Sequence, residues 1–313
     1  MNPTYSIIIP VYNEEAVITE AYTRLTAVMT ALTEPYELIF VNDGSRDRTA
    51  ALIAAFIQTD QNVRLINFTR NFGHMPAITA GMEYARGDAV IIIDADLQDP
   101  PEVLPDMATL WKEGYDVVYG KRKERKGETI FKRISARWFY RFINSMVPID
   151  LPIDTGEFRL MDRKVCDAVN RLQEKHRYIR GLVSWVGFRQ TAYEYVRVER
   201  FAGETKYPLR KMLAFAMDAI TAFSYKPLKL ATSIGFLISL CSFIYMLVIL
   251  WQRIFTDTTI EGWASTVALI LFTQGIVLML LGLMGEYIGR IFEEIKNRPA
   301  YIVHETLGYE NEE

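Results

Sequence analysis

Two stretches without a single charged residue, 230–251 and 262–285, constrain this chain more than anything else in it. Each is long enough to cross a hydrocarbon layer of about 30 Å as a helix. Only a short connection separates them, so they must form a helical hairpin. Lys226 and Lys229 precede the first run, and Arg290, Lys296 and Arg298 follow the second. The connection carries only Arg253 against Asp257 and Glu261. The excess of cations outside the hairpin predicts that both of its ends face the cytoplasm. A buried hairpin in a soluble protein is the competing reading, and the length and charge-free character of both runs oppose it.

Two segments before the hairpin carry aromatic and basic residues at helical spacing. Phe131, Ile134, Trp138 and Phe142 stand beside Lys132, Arg133, Arg137 and Arg141. Leu209, Met212, Leu213, Met217, Ile220 and Phe223 form a second stripe, with Arg210 and Lys211 near its start. Such helices suit the headgroup layer of a membrane, although a face packed on the catalytic core would have the same pattern. The expected division is therefore 1–205 as a cytoplasmic domain with an interfacial helix near 129–146. An amphipathic juxtamembrane helix over 206–227, the hairpin over 228–290 and a cytoplasmic tail over 291–313 follow.

The net charge of −3 argues against a nucleic-acid binder. Cys166 and Cys241 are too far apart in type of surroundings and spacing to suggest a disulfide framework or a metal knot, and both read as buried apolar-like thiols. His74, His176 and His304 are scattered and suggest ordinary surface or packing roles. Residues 1–5 lack the basic and apolar regions of a cleavable signal, which fits a domain kept in the cytoplasm.

Residues 5–10, 37–41, 63–68 and 89–94 are short runs rich in Ile and Val, separated by segments of helical period such as Val17, Ala21, Leu25, Val28 and Leu32. Strand–helix alternation predicts an α/β fold with a largely parallel sheet. Sheets of that kind bind ligands at the carboxyl ends of their strands. Each strand is followed by a polar cluster: Asn13-Glu14-Glu15, Asn42-Asp43-Gly44-Ser45, Thr69-Arg70-Asn71 and Asp94-Ala95-Asp96. Any one cluster could be turn chemistry. Four on one edge point to a site.

Asp94 and Asp96 stand at i and i+2 where an apolar strand ends, so on extended backbone they point the same way. Two adjacent carboxylates there would be costly to desolvate. A hard divalent cation, Mg²⁺ or Mn²⁺, removes that cost and accepts ligands from one or two carboxylates plus substrate phosphates.

The segments Ser6-Ile7-Ile8-Ile9-Pro10-Val11-Tyr12-Asn13-Glu14-Glu15, Val41-Asn42-Asp43-Gly44-Ser45 and Asp94-Ala95-Asp96-Leu97-Gln98-Asp99-Pro100 resemble the family 2 glycosyltransferases of GT-A fold. Asp154-Thr155-Gly156-Glu157-Phe158-Arg159-Leu160, the run 200–207 and Gly285-Glu286-Tyr287-Ile288-Gly289-Arg290 resemble the polyprenyl-phosphate branch. That branch includes dolichol-phosphate mannose synthase and bacterial undecaprenyl-phosphate glucosyltransferases of the GtrB type.

The resemblance implies a GT-A nucleotide-diphospho-sugar transferase fold followed by a two-helix transmembrane hairpin. It implies that Pro10, Tyr12, Asn13 and Glu14 line the nucleotide pocket, and that Asp43 meets the base, with Arg70 beside the nucleotide. Asp94 and Asp96 would hold the metal and diphosphate, with Gln98 close by, while Arg122, Arg200 and Lys206 would meet phosphates. Glu157 stands where relatives commonly carry Asp, reaching about one methylene further, and would position the acceptor or act as a weak base. The implied reaction is inverting transfer of a sugar, expected from a UDP-sugar, to a polyprenyl phosphate, expected to be undecaprenyl phosphate, at the cytoplasmic face of the inner membrane. The lipid-linked sugar would serve cell-envelope glycan modification. A separate flippase, a downstream transferase and a homo-oligomeric state are compatible with it. A processive polysaccharide synthase and a non-catalytic membrane scaffold of the same fold are the alternatives.

Overall fold

The computed structural model describes residues 3–123, 155–175, 177–196, 224, 226–255 and 262–309. Residues 129–146, most of 206–227, Arg200, Lys206 and His176 lie outside the described residues.

The chain separates into two compact units: one of residues 1–144, 149–212 and 299–313, the other of 145–148 and 213–298. The first is built on strands β1 (Tyr5–Val11), β2 (Tyr36–Asn42), β3 (Val63–Phe68) and β4 (Ala89–Ile92), with helices α1 (Ile18–Ala31), α2 (Thr49–Thr59) and α3 (His74–Tyr84) between them. There follow α4 (Leu104–Lys112), β5 (Val117–Arg122), β6 (Thr155–Asp162), α5 (Arg163–Asn170), α6 (Ile179–Trp185) and β7 (Gln190–Tyr195). The sheet has the order β7-β5-β6-β4-β1-β2-β3-β8, where β8 is Val303–Leu307.

Strands β1 to β4 run parallel, so their carboxyl ends share one edge. Ile7, Ile8 and Ile9 of β1 are fully buried, each such side chain contributing roughly 1.5–3 kcal/mol. Helix α3 lies tight on this strand, because a Cβ at Gly81 would come within 2.2 Å of Ile8. That close approach carries the first residue of α3, His74, to the same edge.

The chain leaves β1 toward β2 and β3 on one side and reaches β4 on the other, making a crevice between β1 and β4 where such folds bind ligands. Pro10 explains where the crevice begins. The carbonyl of Ile8 accepts from Ile93 while that of Val11 accepts from Asp43, so alternation turns Pro10 toward β4. Pro10 has no N–H to offer there. The β1–β4 ladder stops, and β4 ends at Ile92, two residues before the expected boundary.

The second unit contains α7 (Lys226–Phe255) and α8 (Trp263–Ile295). Their apolar segments Lys226–Tyr245 and Phe272–Ile295 are long enough to span a membrane and are not covered by protein. Cys241 is accordingly exposed rather than buried, whereas Cys166 is buried as expected, its thiol pushed up to about 12 by burial. The stretch 291–313, expected as a cytoplasmic tail, carries a strand. This is β8, which pairs antiparallel with β3, because the free edge of β3 needs hydrogen-bond partners.

Candidate active site

The loops at the carboxyl edge hold one another. Asn13 donates its backbone N–H to Ser45 Oγ at 2.9 Å and accepts from Arg46 N–H at 2.8 Å. Glu14 N–H donates to Thr49 Oγ1 at 2.9 Å. Two of the non-glycine residues with left-handed backbone, Asn13 (φ 55°) and Leu97 (φ 58°), follow β1 and β4 and so flank the crevice. Bulky residues rarely adopt that conformation away from functional loops.

Asp43 is buried, and both its oxygens are engaged: Oδ1 accepts from Phe72 N–H at 2.6 Å and Oδ2 from Gly73 N–H at 2.9 Å. Its carboxylate therefore braces the turn into α3, with burial raising its pKa against those two amides. Gly44 follows at φ 70°, and a Cβ there would meet the Arg70 backbone at 2.5 Å. Gly44→Ala is expected to force the 42–45 and 69–71 loops apart. It should lower the melting temperature of the purified protein by several degrees, read by thermal unfolding against the parent.

Between those loops lies a pocket of about 420 Å³, lined by Tyr12, Asn42, Gly44, Asn67, Arg70 and His304 among others. This is within the size range of small-ligand sites. It lies at the β1–β3 end of the edge and does not include Asp94 or Asp96, so the edge carries a pocket and, apart from it, an acidic centre.

At that centre Asp94 Oδ1 is buried and accepts no hydrogen bond. Burial raises the Asp94 pKa to about 6; His74 opposes this, while Asp96, Asp99 and Glu157 add to it. His74 Nε2 stands 3.5 Å from Asp94 Oδ1. It also interacts with Asp43 and Glu157, so it sits among three carboxylates. The packing role expected of His74 is thus replaced by a place in the site. Asp96 Oδ1 accepts from the Gln98 N–H at 3.1 Å, which turns the loop after β4.

No three His, Cys, Asp or Glu side chains converge as a metal cage among the described residues. The orphaned Asp94 oxygen beside Asp96 instead fits a hard cation that takes one or two carboxylates and completes its shell with phosphate and water.

Behind the pair lies a tier of buried ions. Asp99, 1% exposed at its side chain, accepts from Tyr195 Oη and stands 3.7 Å from Arg122. Arg122 lies across Gly156, where a Cβ would come within 2.7 Å of its guanidinium. Glu157 is buried on β6 with Oε2 3.3 Å from Arg159 and Oε1 3.1 Å from Arg180. Burial alone would raise its pKa, but the two arginines, with help from His74, hold it below the ordinary value. Arg180 has no sequence signal of its own. It enters from α6, far along the chain, and only folding brings it to Glu157.

The family model for glycosyl transferase family 2 matches residues 6–169, more than half of the chain. The chain belongs to glycosyl transferase family 2. The GtrB C-terminal hairpin matches residues 226–291. The chain is 59% identical over 307 residues to the uncharacterized glycosyltransferase YkcC of Bacillus subtilis strain 168, covering 98% of this chain and 95% of that protein. It is 40% identical over 301 residues to the SfII prophage-derived bactoprenol glucosyl transferase of Shigella flexneri, covering 96% and 97%. Among solved structures, glucosyl-3-phosphoglycerate synthase of Mycobacterium tuberculosis with Mn²⁺, UDP-glucose and phosphoglyceric acid is 20% identical, with a TM-score of 0.47 over 70% of this chain and 78% of that one. The protein is thus a glycosyltransferase with a GT-A-like sheet and a GtrB-type hairpin.

Proposed function

We propose that the protein transfers a sugar from a UDP-sugar to a polyprenyl phosphate, undecaprenyl phosphate being the expected form, with inversion at the anomeric carbon. The observation that carries the reading is a nucleoside-sized pocket and, on the same sheet edge, a buried Asp94 oxygen that accepts no hydrogen bond beside Asp96, in a chain that also has an uncovered apolar hairpin. The similarity to the Shigella flexneri bactoprenol glucosyl transferase, which extends over nearly the full length of both chains, supports the same reading. The hairpin would lie in the inner membrane with both ends, and so the sheet, in the cytoplasm.

In this reading Tyr12 and Arg70 border the nucleoside, while Pro10, Asn13, Glu14 and Asp43 shape the loops that hold it. Asp94 and Asp96 would hold Mg²⁺ or Mn²⁺, with Gln98 supporting the turn. When bound, such an ion offsets the donor diphosphate and stabilises the leaving nucleoside diphosphate. The acceptor phosphate is already anionic near neutral pH, so no strong base is needed to activate it. What the protein must supply is fixed positive charge where two anionic substrates meet, the electrostatic preorganisation that usually dominates catalysis. Arg122 and Arg180 are in the described part of the site, and Arg200 and Lys206 are assigned the same task from sequence alone. Glu157, with both oxygens against arginines, is better suited to aiming Arg180 than to accepting a proton.

The test is transfer of label from a panel of UDP-sugars to undecaprenyl phosphate by the detergent-purified protein, scored in the organic extract. One sugar is expected to label the lipid in a Mn²⁺- or Mg²⁺-dependent way. Folded protein that labels no lipid from any donor would refute the proposal.

A further inference from the structure

The donor pocket has a wall that comes from the far end of the chain. Strand β8, which follows the hairpin, lies along β3 with Glu305 directly opposite Asn67. Glu305 Oε1 accepts from Asn67 Nδ2 at 2.8 Å, although 238 residues separate them. Asn67 Oδ1 then accepts from Asn42 Nδ2 at 2.9 Å, and Asn42 Oδ1 accepts from the Ser45 N–H at 3.1 Å. Asn42 and Asn67 both line the pocket and are otherwise buried.

This series has a polarity that chemistry imposes. An ionised carboxylate only accepts, and a backbone N–H only donates. Glu305 at one end therefore turns the Asn67 NH₂ toward itself, and Ser45 at the other turns the Asn42 oxygen toward the loop. With both ends set, neither asparagine can flip its amide without losing a hydrogen bond. A buried amide left unpaired is costly. Each NH₂ group makes one hydrogen bond in the series, and its second hydrogen has no partner among the described residues. Two oriented donors thus border a pocket of nucleoside size.

We propose that Glu305 is a positioning residue for the donor: through Asn67 and Asn42 it orients the amides that recognise the nucleoside. The donor site is then completed only when the strand beyond the hairpin has joined the sheet. Anchoring of that strand supports this, since Thr69 N–H donates to Ile302 at 3.1 Å and Tyr301 stacks on Phe68 at 4.9 Å. The inference rests on the pocket being the nucleotide end of a UDP-sugar site.

The experiment measures binding of uridine monophosphate, UDP and Mn²⁺ to the full-length protein in detergent, for the parent, Glu305→Gln and Glu305→Thr. Gln keeps an acceptor oxygen for Asn67. Thr favours strand conformation but is too short to reach. Glu305→Thr is expected to weaken both nucleotides about tenfold with Mn²⁺ affinity unchanged, and to raise the donor KM with kcat nearly unchanged. Glu305→Gln should stay within about threefold of the parent. Parent-like nucleotide binding by Glu305→Thr overturns the inference, as does equal weakening by both variants. A lowered melting temperature with unchanged nucleotide affinity would show a merely structural strand and overturn it too. Failure of the parent itself to bind any uridine nucleotide would count instead against the proposed function.

Discussion

Asp94→Asn is expected to make the metal-free protein more stable at pH 7.5 while lowering turnover by about 10²–10³-fold. The two effects have one origin. Burial and the neighbouring Asp96, Asp99 and Glu157 raise the Asp94 pKa to about 6 against the pull of His74. A carboxyl whose folded pKa lies above its unfolded value favours folding while it is protonated, and that contribution is lost as pH rises through about 6. The cost is absent below the unfolded value of 3.8, grows as pH rises from there, and is fully present at pH 7.5. Raising the carboxyl from 3.8 to about 6 corresponds to roughly 3 kcal/mol. With 35% of the side chain exposed, solvent screening reduces this to about 1–2 kcal/mol.

The neutral amide removes that cost, so melting in the presence of a chelator should rise by about 2–6 °C at pH 7.5, by roughly half as much at pH 5 and hardly at about pH 3. The loss of turnover follows the size typical for removing one charge-stabilising group from an active site. Mn²⁺ affinity of the variant, titrated without donor or acceptor, should drop at least tenfold, and Asp96→Asn should do the same. A metal-free Asp94→Asn protein that melts lower than the parent at pH 7.5 would mean that the acidic centre is not held in electrostatic strain. Unchanged Mn²⁺ binding in both variants would remove the metal from the pair.

The part of this site that a reader could find in the sequence is the part made by local pattern. Buried parallel strands are continuous β-branched runs, and β3 coincides with the expected 63–68. The polar clusters follow these strands directly, so their common edge could be inferred. Strand β4 ended early because Pro10, on its neighbour, cannot extend the ladder; that is a property of the pairing, not of either segment. Strand β6 was hidden for a different reason. Glu157 and Arg159 alternate with apolar residues yet are buried, because Glu157 pairs with Arg159 on its own strand and with Arg180. A charge pattern that looks solvated is in fact internal.

The same holds for His74 and Glu305. His74 becomes a member of the site because Gly81 lets α3 lie close on β1, and Glu305 because β8 returns to β3 after the hairpin. Neither has a neighbour in sequence that reveals its role. Asp43 shows the reverse: a residue legible as part of the site whose carboxylate is occupied by the amides of Phe72 and Gly73. Local motifs thus report the site's location well, and long-range pairings decide what each side chain is free to do.

Glu157→Gln is expected to destabilise the protein by about 3–5 kcal/mol, the cost of leaving buried cations without their counter-charge. Arg159 is 3% exposed and Arg180 17% exposed at their side chains, so water cannot replace the lost carboxylate. Because Glu157's pKa is held low in the fold, its contribution is fully present above the ordinary glutamate range and is lost as pH falls through the lowered value. The difference in melting temperature between parent and Glu157→Gln should therefore be large at pH 7 and shrink in strong acid. Glu157→Asp keeps the charge and is one methylene shorter, so it should recover most of the stability while reaching one arginine less well. If Glu157 aims Arg180 at the acceptor phosphate, Glu157→Asp should raise the lipid KM more than it lowers kcat, and Arg180→Lys should do likewise. If Glu157 were instead a proton acceptor, the pH profile of kcat would follow its titration and Glu157→Gln would lose turnover at every pH where the fold persists. A Glu157→Gln protein as stable as the parent at pH 7 would show that the two arginines do not depend on this carboxylate, and the role assigned to it would fall.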